Sequence, residues 1–400
     1  MTAKQVLEAL GSGVVPEPGL LRKLGREAAL DRGKTAELFQ DLVEPLSDSF
    51  DPEACEHYTA VFSEVIAELA PEFDAQQLRE RYARISNRAA AAFQPETVFV
   101  LSRVTLGADI AITSVFIDAA KQAFPKASIV FVGNRKNAEL WEADHRVGFL
   151  EAPYDRTGML QGRIDSHRQL VALLNRPASI VIDPDSRLTQ LGLIPVCPED
   201  RYFFFNSRAY GTGTRLSISE LAAQFAEAQF GVNSARSFIA PIPSNAEPRV
   251  TVSFGVGENP SKRVSEAFEI TVLQQLVRLG AKVLVDQGAG GEEAERVKHA
   301  VRQTAGVPGQ VEMFSGPFAA FAAYIAKSPL YVGYDSAGQH AAAALGVPSV
   351  TVFAGYPNER FLERWRPAGK SSRTLVASEP NLLDRIAAVI EEMLAVRPSL

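Results

Sequence analysis

The chain has 400 residues, a formal net charge of −6, 46% hydrophobic residues and 22% charged residues. That length exceeds one ordinary core and calls for two or three domains of a water-soluble globular protein. The acidic balance argues against a nucleic-acid partner, Cys55 and Cys197 match no metal or redox spacing, and no apolar run approaches membrane-spanning length. The opening MTAKQVLEALGSG lacks a secretory apolar segment, so the expected location is cytoplasmic, with association to a membrane surface left open.

Residues 1–93 read as helical throughout and are expected to form an N-terminal extension. Asp51-Pro52-Glu53 is a helix start, with a cap, a proline at the first position and an acid near the positive end. Tyr58, Val61, Phe62, Val65, Ile66 and Leu69 follow at helical spacing. Asp74 caps a second stretch with Leu78, Tyr82, Ile85, Ala89 and Phe93 on one face, and Pro18–Asp31 and Thr35–Leu46 carry similar stripes. The region reads as a bundle or cap, or as a surface for self-association or a partner. Cys55 and His57, two apart on a helix, do not share a face.

The pattern changes near Pro95. Strands are predicted at Thr97–Ser102, Ser128–Gly133, Ala178–Asp183 and Tyr202–Phe205. Helices are predicted at Asp109–Phe124, Asn137–Trp141, Gln161–Leu174 and Ser217–Phe230. After the proline-rich linker Pro241–Pro248 the alternation restarts. Further strands are predicted at Arg249–Phe254, Ala281–Asp286, Val311–Phe314, Leu330–Tyr334, Ser349–Phe353 and Thr374–Ala377. Helices at Val264–Leu279, Glu292–Thr304, Pro317–Lys327 and Ala337–Leu345 lie between most of them, and Asn381–Val396 is a last helix that could return to the first sheet. Such alternation implies an α/β chain of two doubly wound parallel-sheet units, over 94–244 and 245–400, with ligand sites in the strand-to-helix loops.

Those loops are RVTLGAD (Arg103–Asp109), DPDSR (Asp183–Arg187), GVGENPSKR (Gly255–Arg263), GAGGEE (Gly288–Glu293) and DSAGQH (Asp335–His340). Gly255 and Gly257 let backbone N–H groups approach an anion, and Lys262 adds a charge. The start of the helix after Asp335-Ser336 is a natural phosphate seat. No Walker lysine motif occurs, and Gly255-x-Gly257 lacks the third glycine of a dinucleotide fingerprint. Asp183-Pro184-Asp185 is read either as a metal pair or as a strand-end turn. Asp109, Asp335 and His340 have helix-cap or packing roles as alternatives. Tyr356, Arg364, Trp365 and Arg366 are read either as a binding rim or as a surface loop.

The C-terminal half resembles the lipopolysaccharide heptosyltransferases of glycosyltransferase family nine. Their D-T-G-x-x-H signature, followed by A-A-x-x-G-x-P, is met here by Asp335-Ser336-Ala337-Gly338-Gln339-His340 and AAAALGVP. The family's R-x-x-x-L-G-D-x-x-x-T is met by Arg103–Asp109 and Thr113 with Ala108 as an extra residue, and its V-I-D-x-x-x-x-x-R by ASIVIDPDSR. GVGENPSKR resembles its G-x-x-x-x-x-K-x-W loop without the tryptophan, and Ala337 stands in place of a glycine.

The resemblance covers about residues 96–396 and implies the GT-B architecture, two Rossmann-like domains facing a cleft. It implies inverting sugar transfer from a nucleotide-diphosphate sugar to a sugar, lipid-linked or protein acceptor, with no cofactor and no metal. Asp109 is then the catalytic base. Gly255, Gly257, Lys262, Gly288, Glu292, Glu293, Asp335, Ser336, Ala337, Gly338, Gln339 and His340 hold the nucleotide-sugar. Arg103, Asp183 and Arg187 lie on the acceptor side. A binding protein that has lost transfer, and a nucleotide-sugar epimerase or hydrolase, are the competing functions.

Overall fold

The computed structural model describes residues 1–88, 93–152, 154–155, 158–245, 247–257, 259–288, 290–304, 309–369 and 371–395. The chain divides into two compact units. The first takes Met1–Thr105, Val115–Ala138 and Arg146–Ala235, and the second Leu106–Ser114, Glu139–His145 and Arg236–Leu400.

The first unit is built on β1 (Thr97–Leu101), β2 (Ser128–Gly133), β3 (Val147–Glu151), β4 (Ser179–Asp183) and β5 (Tyr202–Phe204), all parallel in the order β3-β2-β1-β4-β5. The strand β3 was not expected. It lies at an edge and is only half-buried, so it lacks the continuous apolar run of β1 and β4. The order reverses between β1 and β4, which places a topological switch there.

The N-terminal helices are Ala3–Gly11, Pro18–Leu30, Arg32–Leu38, Glu44–Asp48, Pro52–Leu69 and Ala75–Ser86. Asp51 and Asp74 cap the last two as expected, accepting from Glu53 N and Gln77 N. The helix after Asp74 stops at Ser86, so Phe93 is not on it, and Ala89 lies outside the described residues. The expected Thr35–Leu46 helix is interrupted by a π turn at Phe39–Val43. The extension is not a separate domain. Its Phe39, Tyr58, Phe62, Val65, Leu78 and Tyr82 share one hydrophobic core with Phe99, Leu101, Val181, Tyr202 and Phe204 of the sheet.

The second unit is built on β6 (Val250–Ser253), β7 (Val283–Asp286), β8 (Val311–Phe314), β9 (Tyr331–Tyr334), β10 (Ser349–Phe353) and β11 (Ser372–Val376), all parallel in the order β11-β10-β9-β6-β7-β8. Read in chain order this is the doubly wound 3-2-1-4-5-6 arrangement, with its switch between β6 and β9. The last helix, Leu382–Ala395, belongs to the second unit. Its Leu382, Ile386 and Ile390 complete the second core, and it packs on the Glu266–Arg278 helix and on β10 and β11. The stretch read as a rim or loop contains a short helix, Glu359–Trp365, capped by Asn358. Among the described residues no helix is long and apolar enough to cross a membrane.

Candidate functional site

The switch of the second sheet gathers most of the residues singled out in the sequence. Strand β9 ends at Tyr334, Asp335 follows, and Ser336 is the N-cap residue of the eight-residue Ala337–Ala344 helix. The loop after β6 carries Lys262 to the same place, where its ammonium donates to Asp335 Oδ2 at 2.5 Å and lies 5.3 Å from the Phe361 ring centre. The other oxygen of Asp335 accepts from Gln339 Nε2 at 2.5 Å. Asp335 is buried, and its side chain does not cap the helix as the alternative reading had it; it orients the lysine and the glutamine. Gln339 also donates to the Trp365 carbonyl, and the His340 ring meets Trp365 edge-on at 5.8 Å. Burial, with Lys262 adding to it and Asp335 opposing, pushes the His340 pKa down to about 4. This imidazole is therefore neutral at pH 7 in the ligand-free structure.

Gly338 is required for packing rather than for an unusual φ. A Cβ there would stand 2.1 Å from the Tyr331 hydroxyl oxygen. Ala337, where the resembled family has glycine, sits in an ordinary helical turn with no left-handed backbone. The groups left to meet an anion are the Lys262 ammonium, the Ser336 hydroxyl and the first backbone N–H groups of the helix.

The glycine loops have a specific tenant. A Cβ on Gly255 would fall 2.4 Å from Glu293 Oε1, and one on Gly288 2.3 Å from the same carboxyl group. Both glycines therefore make room for the Glu293 carboxylate, while Glu292 is exposed. Gly257 takes a left-handed φ of 62°. Sequence reading missed Asp286 at the end of β7, which accepts from Gly288 N and from Ser253 Oγ. Burial raises its pKa, and Glu293 adds to the rise. Its only sequence signal is its place at a strand end.

Leu106–Ser114 belongs to the second unit and packs on the Ala337–Ala344 helix. A Cβ on Gly107 would lie 3.5 Å from Ala337 Cα and from His340 Cδ2. Directly after Ala108 the chain makes a π turn over Asp109–Thr113, and an i→i+5 turn accommodates one residue more than an α turn. Asp109 is fully buried there, with Thr113 Oγ1 donating to its Oδ1 at 2.7 Å.

In the first unit Asp183, expected on the acceptor side, lies in the interior. It is fully buried at the end of β4 and accepts from Ser186 N, Thr189 Oγ1 and Tyr202 OH at 2.5–2.6 Å, which makes it the keystone of a turn. Burial raises its pKa despite those donors. Asp185 takes two bonds from Arg208 and one from Ser207, so the Asp183-Pro184-Asp185 pair is a strand-end turn. Arg103 reaches across to Pro184 O and Ser207 Oγ, and Arg187 stands half-buried at the turn's edge. Among the described residues no group of three or more His, Cys, Asp or Glu is placed to hold a metal.

Residues 213–389 match the family model described as glycosyltransferase family 9 (heptosyltransferase). No curated protein matches the chain. Among solved structures, the chain resembles a family 9 glycosyl transferase from Veillonella parvula, with a TM-score of 0.59 and 18% identity over 77% of this chain and 100% of that one. It resembles the E. coli heptosyltransferase WaaC with ADP-2-deoxy-2-fluoro heptose, with a TM-score of 0.57 and 16% identity over 75% and 99% of the two chains. It also resembles E. coli ADP-heptose lps heptosyltransferase II, with a TM-score of 0.54 and 14% identity over 75% and 98%. The fold is theirs, the GT-B type expected from the sequence.

Proposed function

We propose that this chain, a glycosyltransferase family 9 protein over residues 213–389, moves a sugar from a nucleotide-diphosphate sugar to an acceptor hydroxyl with inversion at the anomeric carbon. The observation that carries the reading is the Lys262–Asp335 pair at the switch of the second sheet, beside the start of the Ala337–Ala344 helix. A cation fixed by a buried carboxylate, next to unpaired N–H groups at a helix start, suits a diphosphate leaving group. The charge that grows on that group as the glycosidic bond breaks is met by Lys262 and these donors, with no metal in the scheme.

The acceptor oxygen attacks from the face opposite the diphosphate, and its proton passes to Asp109 in this reading. Asp109 lies on the segment that touches the helix start, but it is fully covered. Its use as a base therefore requires Leu106–Ser114 to lift from Ala337 and His340 when substrates enter. That same burial favours the second reading, a nucleotide-sugar-binding protein without transfer.

The two readings separate in one experiment. A thermal-shift panel of ADP-, UDP-, GDP- and dTDP-sugars finds the donor by its stabilisation of the folded chain, with ADP-sugars first because the solved E. coli heptosyltransferase WaaC carries ADP-2-deoxy-2-fluoro heptose. Transfer is then assayed on the wild type and on Asp109→Asn. Transfer lost with donor binding kept supports the enzyme; donor binding with no transfer by the wild type supports the binder.

A further inference from the structure

Tyr331, the first residue of β9, is fully covered, and its hydroxyl oxygen has no hydrogen-bond partner among the described residues. An unpaired buried hydroxyl costs stability, because it has left water and gained nothing in exchange. A phenylalanine would fill the same space without that cost. The chain also clears room for the oxygen. Gly333 lies two residues on, on the same face of the strand, and a Cβ there would stand 2.5 Å from it. A Cβ on Gly338 would stand closer still. Two glycines therefore open a slot for a polar atom that the fold itself does not bond.

The slot opens at the start of the Ala337–Ala344 helix. The ring runs along β9 past Gly333, so its hydroxyl arrives beside Gly338, in the first turn. Burial pushes the Tyr331 pKa up, and the hydroxyls of Ser336 and Ser253 stand close enough to oppose that rise. Ser253 Oγ already donates to Asp286. Ser336 is the N-cap residue, and its side chain makes no cap bond. It is half-buried where Tyr331 is covered, so an anion reaching the helix start meets the serine and not the phenol. A serine hydroxyl accepts one hydrogen bond while donating another, and such chains strengthen each of their bonds.

We propose that Tyr331 is a positioning residue of the phosphate seat: when a nucleoside diphosphate binds, its hydroxyl donates to Ser336 Oγ, which turns to donate its own proton to a phosphate oxygen. This rests on the reading of the helix start as the donor's diphosphate site, and does not require that transfer occurs. The phosphate fixes the serine in the orientation that gives the phenol its partner, so the cost of the buried hydroxyl is recovered only in the complex.

The test is a double-mutant cycle on the full chain, with Tyr331→Phe, Ser336→Ala and the two combined. ADP, UDP, GDP and dTDP are each titrated into the wild type by calorimetry, and the one bound most tightly is carried through the cycle. Tyr331→Phe should weaken it about three- to tenfold, the size of one hydrogen bond between neutral groups. Ser336→Ala should weaken it at least as much, and the double variant no further than Ser336→Ala, because the phenol acts through the serine. In urea titrations without nucleotide, Tyr331→Phe should be as stable as the wild type or more so, whereas loss of a hydroxyl that only held the fold would destabilise it. Wild-type affinity in Tyr331→Phe, losses that multiply in the double variant, or a Tyr331→Phe chain less stable than the wild type overturns the proposal and leaves the donor site standing. A wild type that binds none of the nucleotides overturns both. The expected cycle in a chain that shows no transfer removes the transferase reading and keeps this one. If Ser336→Ala does not fold, the affinity and stability of Tyr331→Phe decide.

Discussion

Lys262 holds its ammonium 2.5 Å from a carboxylate that is 5% exposed, so removing the lysine strips Asp335 of its counter-charge. Hydrogen bonds to charged groups contribute about 1.5–3 kcal/mol. Lys262→Ala should therefore weaken nucleoside diphosphate binding by roughly 10- to 100-fold, measured by calorimetry; equal affinities would remove Lys262 from the donor site. His340 sets a pH dependence. Its pKa falls from 6.5 to about 4 on folding, so between those values the unfolded chain binds a proton that the folded chain refuses. The stability from this residue is complete above pH 6.5 and is lost as pH falls through that window, by about 3 kcal/mol at most. Urea titrations at pH 7 and pH 4.5 should show this loss in the wild type and a smaller one in His340→Gln. Asp109→Asn should lower transfer by roughly 100- to 10,000-fold in a steady-state assay, with donor affinity kept.

The elements explain why some of this was legible in the sequence and some was not. The runs SIVID, SVTVF and YVGY are buried on both faces and announce themselves as parallel strands. DSAGQH marks the start of its helix through polar residues followed by alanines. By contrast β3 is a half-buried edge strand, and the Glu359–Trp365 helix is too polar and short for its period to stand out. The partners of Asp185 and Lys262 lie 23 and 73 residues away in sequence, beyond any local pattern. The tenancy of Glu293 between Gly255 and Gly288 is equally invisible, because the sequence shows glycines and not what they admit. Close packing at Gly338 gives a test at this scale. Gly338→Ala sets a methyl group against the Tyr331 ring and should cost about 1–3 kcal/mol by chemical denaturation. Tyr331→Leu in the same chain should recover part of that loss, as coupled neighbours do.

At the scale of the molecule, the N-terminal helices are part of the first unit's core and not an appendage. Tyr58 OH donates to Gln190 O, Arg81 Nη1 to Gly192 O, and Cys55, Tyr82 and Thr35 reach Asn206, Arg208 and Leu160. A fully buried large apolar side chain contributes about 1.5–3 kcal/mol. Losing five or six of them would remove about 8–18 kcal/mol, as much as the whole of the roughly 5–15 kcal/mol by which a domain is stable. A chain lacking residues 1–86 should therefore fail to give a folded first unit, seen as loss of protease resistance over residues 97–230. A truncated chain with native protection would show the layer to be dispensable.

The long reach of those contacts bears on synthesis. The Pro52–Leu69 helix leaves the ribosome well before Gln190, its partner 132 residues further along. The part of its apolar face that meets the sheet therefore waits unpaired while most of that sheet is made, a period in which nascent chains are prone to misassociate. Chaperone engagement should concentrate in that interval and fall once β5 has emerged, and arrested chains ending before and after about residue 230 would register the handover.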